Sequence, residues 1–184
     1  MQLASIEAID KNNNVLLLSA TGSGKTLAYL LPLIKLLKPS NTNTQAIIIV
    51  PSRELALQIE SVFKSMGTHF KVTCCYGGHL RETEENNLKQ PPALLIGTPG
   101  RLADHIRRGN IATNTIETLV LDEFDKSLEL GFQDEMSFII GSLRSVPILL
   151  NTDSICKASS RDGTMIMACV FVFAGFNNLI NGNR

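Results

Sequence analysis

Apolar positions in this chain come in short blocks. Val15–Leu18, Ala46–Val50, Ala93–Ile96 and Thr118–Leu121 are nearly unbroken apolar runs dominated by Val, Ile and Leu, and Lys71–Tyr76 is a looser run of the same length class. Such runs fit strands buried on both faces. Between them the polar positions return with helical spacing, over Met1–Lys11 (Leu3, Ile6 and Ile9 on one face), Leu27–Leu37, Ser52 to about Met66, Leu80–Lys89, Leu102–Arg108 and Phe132–Leu143. Pro147–Leu150 reads as one more strand. Pro32 falls inside a helical pattern, where it is expected to kink the helix or remove a hydrogen bond.

Strands alternating with helices predict an α/β fold of three layers, a mostly parallel sheet with helices on both faces. In such sheets ligands bind beyond the carboxyl ends of the strands. The chemistry-bearing clusters SATGSGKT, PSREL, YGGH, GTPGR and DEFD each follow a predicted strand, so all five are expected along one edge.

The stretch Leu16–Thr26 reads as strand, glycine-bearing loop and helix start. Thr21, Gly22, Ser23 and Gly24 would form a turn whose N–H groups converge on a phosphate, helped by the positive end of the following helix. Lys25 supplies a full charge for the β- and γ-phosphates, and the Thr26 hydroxyl can ligate Mg²⁺. The general phosphate-loop pattern wants glycine where this chain has Ser19. The apolar strand Leu119–Leu121 delivers Asp122 and Glu123, the acidic pair that a Mg²⁺–phosphate site needs opposite its loop. Asp122 would hold Mg²⁺ through water, and Glu123 would orient the attacking water.

Composition changes little. With 17 basic and 17 acidic residues the chain is no polycation, so any nucleic-acid contact must come from a local site. The four cysteines have no metal-ligand spacing, and the adjacent pair Cys74-Cys75 in an apolar run suits the core of a reduced, cytosolic protein. His69, His79 and His105 read as surface or packing residues with no ligand set. The longest apolar stretch, Met165–Phe176, is too short for a membrane-spanning helix, and no membrane association is expected.

ATGSGKT, PSRELA, GG, TPGR and DEFD, in this order, resemble the first RecA-like P-loop NTPase domain of a DEAD-box RNA helicase. The resemblance covers about Met1 to Leu150. It implies an ATP-binding and RNA-binding domain that hydrolyses ATP to drive RNA unwinding or remodelling when joined to a second RecA-like domain. It gives Lys25 and Thr26 the triphosphate–Mg²⁺ roles, and Asp122 and Glu123 the hydrolytic ones. Gln2 falls where the family has its adenine-reading glutamine. Pro51, Ser52 and Arg53, then Gly77 and Gly78, then Thr98, Pro99, Gly100 and Arg101 match segments that hold the RNA backbone with little regard to sequence. Ser52 stands where threonine is usual, and Phe124 where the family name has alanine; its ring is expected to pack behind the acidic pair. Asp125 would link to a Ser-Ala-Thr segment near Asn151, where this chain reads differently.

These features predict a domain over residues 1–154 and a segment, 155–184, without family resemblance that either covers the sheet edge or stays loose. Arginines from the second domain complete the hydrolytic site in the family, so this chain is expected to bind ATP weakly and turn it over poorly. The other reading is a catalytically silent ATP- and RNA-binding module, or a truncated fragment, that competes with or regulates full-length helicases.

Overall fold

The computed structural model describes residues 2–12, 14–20, 24–78, 80–143 and 167–174. Helix α1 (Gln2–Lys11) leads into β1 (Asn14–Ala20) and α2 (Lys25–Leu36). Then follow β2 (Ala46–Ile49), α3 (Arg53–Ser65), β3 (Val72–Cys75), α4 (Arg81–Leu88), β4 (Leu94–Gly97) and α5 (Pro99–Arg107). A 3₁₀ turn precedes β5 (Thr118–Asp122), which is followed by α6 (Phe124–Glu129), α7 (Gln133–Ser142) and β6 (Met167–Ala174). The predicted α/β alternation holds. Helix α5 starts earlier than expected, at the Pro99 of the GTPGR cluster, because proline at a helix's first turn gives up no bond the helix needs. Helix α6 was not foreseen, being too short to show a period. The expected strand at Pro147–Leu150 lies outside the described residues.

The six strands form one sheet in the order β1-β6-β5-β2-β4-β3. Strand β2 is parallel to both its neighbours, Ile49 standing level with Gly97 on one side and Leu121 on the other, and β3 is parallel to β4 with Cys75 opposite Gly97. This register ends four strands at one level. The segments that follow them, Pro51–Arg53, Gly77-Gly78, Thr98–Arg101 and Asp122-Glu123, therefore leave the sheet along a single edge.

Successive residues of the central strands serve opposite faces. Ile47, Ile49, Leu95, Leu119 and Leu121 pack against α5 and α7 through Leu102, Ala103, Met136 and Ile139. Ala46, Ile48, Leu94, Ile96 and Val120 pack against α2 and α3 through Leu30, Leu33, Ile59 and Phe63. Both faces are apolar, which is why the strands read as unbroken runs.

Strand β6 departs from both expectations for segment 155–184. It lies inside the sheet, antiparallel to β1 on one side and to β5 on the other. Its sequence, MACVFVFA, has no charge and no proline, as a strand flanked on both sides requires. Because β6 opposes both neighbours, β1 and β5 point the same way, and the Ala20 end of β1 lies on the side of the sheet where Asp122 ends β5.

Pro32 does not interrupt α2, which runs through it. Proline has no N–H for the carbonyl of Ala28, and the Ser5 hydroxyl of α1 donates to that oxygen instead, at 2.7 Å in a buried position. The lost bond is thereby replaced from a neighbouring helix, which fixes α1 onto α2. Ser5→Ala is expected to lower stability by about 1–2 kcal/mol by leaving the Ala28 carbonyl buried and unpaired. Urea denaturation followed by circular dichroism measures it, and the loss should shrink to under about 0.5 kcal/mol in a Pro32→Ala background, where the helix supplies its own N–H.

Candidate functional site

Helix α2 opens at the carboxyl edge. Gly24 caps it with φ 82°, a left-handed conformation that a Cβ would strain. Thr21, Gly22 and Ser23 lie outside the described residues, as do the side chain of Gln2, the first residue of α1, and His79. Lys25 is nearly buried. Gly24, Lys25 and Thr26 face Asp122 and Glu123 across a cleft of about 330 Å³, with Leu55 and Val62 of α3 on its wall. Of the residues singled out for phosphate, metal and water chemistry, Gly24, Lys25, Thr26, Asp122 and Glu123 thus share one cleft.

Asp122 is only 4% exposed. Burial pushes its carboxyl up to about 6, and the Glu123 charge adds to this, while the Tyr29 hydrogen bond and the Lys25 charge oppose it. The Tyr29 hydroxyl donates to Asp122 Oδ2 at 2.9 Å. Tyr29 is itself fully buried, and burial first, then the Asp122 charge, hold its phenol well above the ordinary value. The Thr26 side chain works against these effects on the phenol. Tyr29 and Asp122 thus join α2 to the end of β5 through a buried polar contact. Tyr29 was missed by sequence reasoning, although its spacing, one helical turn after Lys25, places both on one face of α2.

Glu123 is the one non-glycine residue with positive φ among the described residues, at 50°. Holding a glutamate there costs about 1–2 kcal/mol. Its carboxylate pairs with Lys126 at 3.0 Å. The ring of Phe124 is buried in the core beneath the acidic pair, as expected. Asp125 has a buried carboxylate oxygen with no hydrogen-bond partner among the described residues. The segment near Asn151 that was expected to meet it lies outside them.

The other clusters line the same edge. The Ser52 hydroxyl accepts from the Leu55 N–H at 3.3 Å and caps α3. The Arg53 guanidinium lies over the Tyr76 ring, 5.2 Å from its centre. Gly78 has φ 92°, and a Cβ there would stand 3.7 Å from an Arg53 nitrogen. Thr98 precedes Pro99 at the start of α5, its N–H bonded to the Cys75 carbonyl at 3.0 Å. Gly100 follows, and Arg101 pairs with Glu84 at 3.4 Å. His105 is buried, as a packing residue would be, but it is not without partners: it bonds Glu84 at 2.8 Å and Asn110 at 3.0 Å. Glu84 had been read only as part of a polar helix, since one buried face cannot be told from its neighbours in RETEENNL.

Residues 1–163 match the family model for the DEAD/DEAH box helicase. The chain is 42% identical over 142 residues to the ATP-dependent RNA helicase CshA of Limosilactobacillus reuteri, a match that covers 76% of this chain and 29% of that protein. It is 42% identical over 147 residues to the ATP-dependent RNA helicase HAS1 of Chaetomium globosum, covering 76% and 25% respectively. Among solved structures it resembles the yeast DEAD-box splicing factor Prp28 with a TM-score of 0.62 at 33% identity, over 68% of this chain and 31% of that one. The chain spans less than a third of the length of each of these relatives.

The raised Asp122 value has a consequence for stability. The folded state holds a proton there that the unfolded chain has released, so this contribution is present at low pH and is lost as pH rises from about 4 to about 6. Asp122→Asn keeps an acceptor for Tyr29 and removes the buried charge. The ligand-free variant is expected to be more stable than the parent by about 2–3 kcal/mol at pH 7.5, a gap that closes near pH 4. Urea denaturation at the two pH values measures it.

Proposed function

Because the chain belongs to the DEAD/DEAH box helicase family, we propose that it is the ATP- and RNA-binding part of an ATP-dependent RNA helicase core. The convergence of Lys25, Thr26, Asp122 and Glu123 on one cleft carries this reading. Lys25 neutralises the β- and γ-phosphates, and the amides of the 21–24 loop and the start of α2 cradle them. Gln2 reads the adenine edge with its amide. The Thr26 hydroxyl and the Asp122 and Glu123 carboxylates are oxygen donors only, which suits Mg²⁺ better than a softer metal. The bound ion would neutralise phosphate charge. Asp122 would hold the ion, and the Tyr29 hydroxyl fixes the carboxylate's rotation. Glu123 orients the attacking water and takes its proton.

RNA runs along the same edge over Pro51, Ser52, Arg53, Gly77, Gly78, Thr98, Pro99, Gly100 and Arg101. Arginine forks and bare N–H groups at glycine recognise phosphate and sugar, so binding is largely independent of sequence. A second RecA-like domain completes the hydrolytic site and the RNA groove, and the location is cytoplasmic. Residues 1–154 carry the family's motifs in this reading, and β6 joins their sheet from beyond them. The Lys126 ion pair to Glu123 favours a second one, a module that binds ATP and RNA without turnover, because it occupies the carboxylate that would handle water.

Steady-state ATP turnover with Mg²⁺, with and without single-stranded RNA, tests the proposal. ATP binding is expected to survive Glu123→Gln and to weaken at least about tenfold in Lys25→Ala, the loss of one charge-assisted contact. Any turnover should fall about 10²-fold or more in Glu123→Gln. Binding without turnover selects the silent module, and no loss of binding in Lys25→Ala overturns both readings.

A further inference from the structure

Glu84 lies where three of the edge segments meet, and none of the roles above uses it. Its carboxylate is 1% exposed. Oε1 accepts the N–H of Tyr76 at 3.1 Å, at the residue where β3 gives way to Gly77-Gly78. Oε2 accepts from His105 Nε2 at 2.8 Å and faces Arg101 Nε at 3.4 Å, both on α5. With the Asn110 amide donating to His105 Nδ1, the ring proton sits on Nε2 and points at Glu84. Arg53 rests on the ring of the same Tyr76. One buried carboxylate thus sets the backbone under Arg53's platform and the direction of Arg101.

Cys75, Glu84 and His105 offer ligand atoms within 4.8 Å of one another, a spacing that a metal could use. The chemistry favours the polar network. Burial first, and the Glu84 charge second, push the Cys75 thiol up and keep it neutral, whereas a metal needs the thiolate. The carboxylate is also already engaged by three protein donors.

We propose that Glu84 is a positioning residue for RNA binding, holding Arg101 directly and Arg53 through Tyr76 in the orientation that meets successive phosphates. This rests on the RNA-binding reading above. Glu84→Gln isolates the effect. A glutamine oxygen can still accept from Tyr76, and its amide can donate to His105 after a tautomer shift that Asn110 matches by turning its own amide. Only the Arg101 pairing has no substitute. The sign is diagnostic. Removing a mere negative charge near an RNA surface tightens RNA binding, whereas removing a positioning group weakens it.

The test measures affinity for a fluorescent uridine decamer across a salt series, for the 184-residue chain, Glu84→Gln, Arg101→Ala and the double variant. Glu84→Gln is expected to bind about 3–10-fold more weakly, with the slope of log affinity against log salt smaller by about 0.7, the value of one lost phosphate contact to a single strand. In the Arg101→Ala background it should have no further effect. Tighter or unchanged binding in Glu84→Gln, beside weaker binding in Arg101→Ala, overturns the role of Glu84 and leaves the RNA reading standing. An equal loss in both backgrounds also overturns it, since Glu84 would then act on the fold alone. No binding by any form, the parent included, removes the RNA reading and this inference with it. Should Glu84→Gln not fold, the parent chain still decides by NMR: a distinct, slowly exchanging Arg101 Nε–H that shifts on adding the decamer is expected, and an averaged, fast-exchanging signal overturns the inference.

Discussion

Everything at the working edge depends on the register of β2 with its two neighbours. Four parallel strands end level because Ile49 stands beside both Gly97 and Leu121, and Cys75 beside Gly97. A slip of one residue would turn Ile47 and Ile49 to the face now held by Ile48, exchanging the two cores. The packing of α5 and α7 on one face and α2 and α3 on the other forbids it. Hydrophobic contacts between helices and strands thus fix where segments distant in sequence leave the sheet. The polar residues of those segments need only local geometry to be useful.

The cleft is built against stability. Asp122 is buried to the point where its carboxyl titrates near 6, and Glu123 is held at a positive φ that favours glycine. Both arrangements are costly in the ligand-free chain. Tyr29 offsets part of the first by donating to Asp122, and Lys126 neutralises Glu123. A cation in the cleft would relieve the buried Asp122 charge that Tyr29 relieves only partly, and the backbone strain at Glu123 would remain. The strain is concentrated on the two residues at the end of β5, while Phe124 behind them joins the apolar core under α5 and α7.

Strands β1 to β5 and the shared edge were legible because their causes are local: two-sided burial leaves unbroken apolar runs, and loops with glycine, proline and charge mark where they stop. The four residues that meet in the cleft were legible for the same reason, each lying at a strand end or helix start. What escaped notice depends on partners remote in sequence. Tyr29 reads as one more helix aromatic until Asp122 is placed opposite it. Glu84 is one acid among several in α4 until Tyr76, Arg101 and His105 surround it. Ser5 has no reason to matter without the carbonyl that Pro32 strands. The interior place of β6 escaped too, since an apolar run declares that it is buried but not which strands flank it or in which direction it runs.

That place sets the order of events in folding. Strand β1 stands at the end of the sheet, and its one strand neighbour among the described residues is β6, with Ala20 opposite Met167. The chain is synthesised from its amino end, and β1 precedes the other described strands. The strand that carries the 21–24 loop emerges early, and its hydrogen-bonding partner emerges after all the rest of the described sheet. Its pairing with β6 waits through that interval, and a strand edge kept waiting is an open template for a neighbouring chain. Closing so long a loop adds only slowly growing entropy but delays the contact that rewards it. Among the described strands, β1 is therefore made before the others and meets β6 only after the rest have been made.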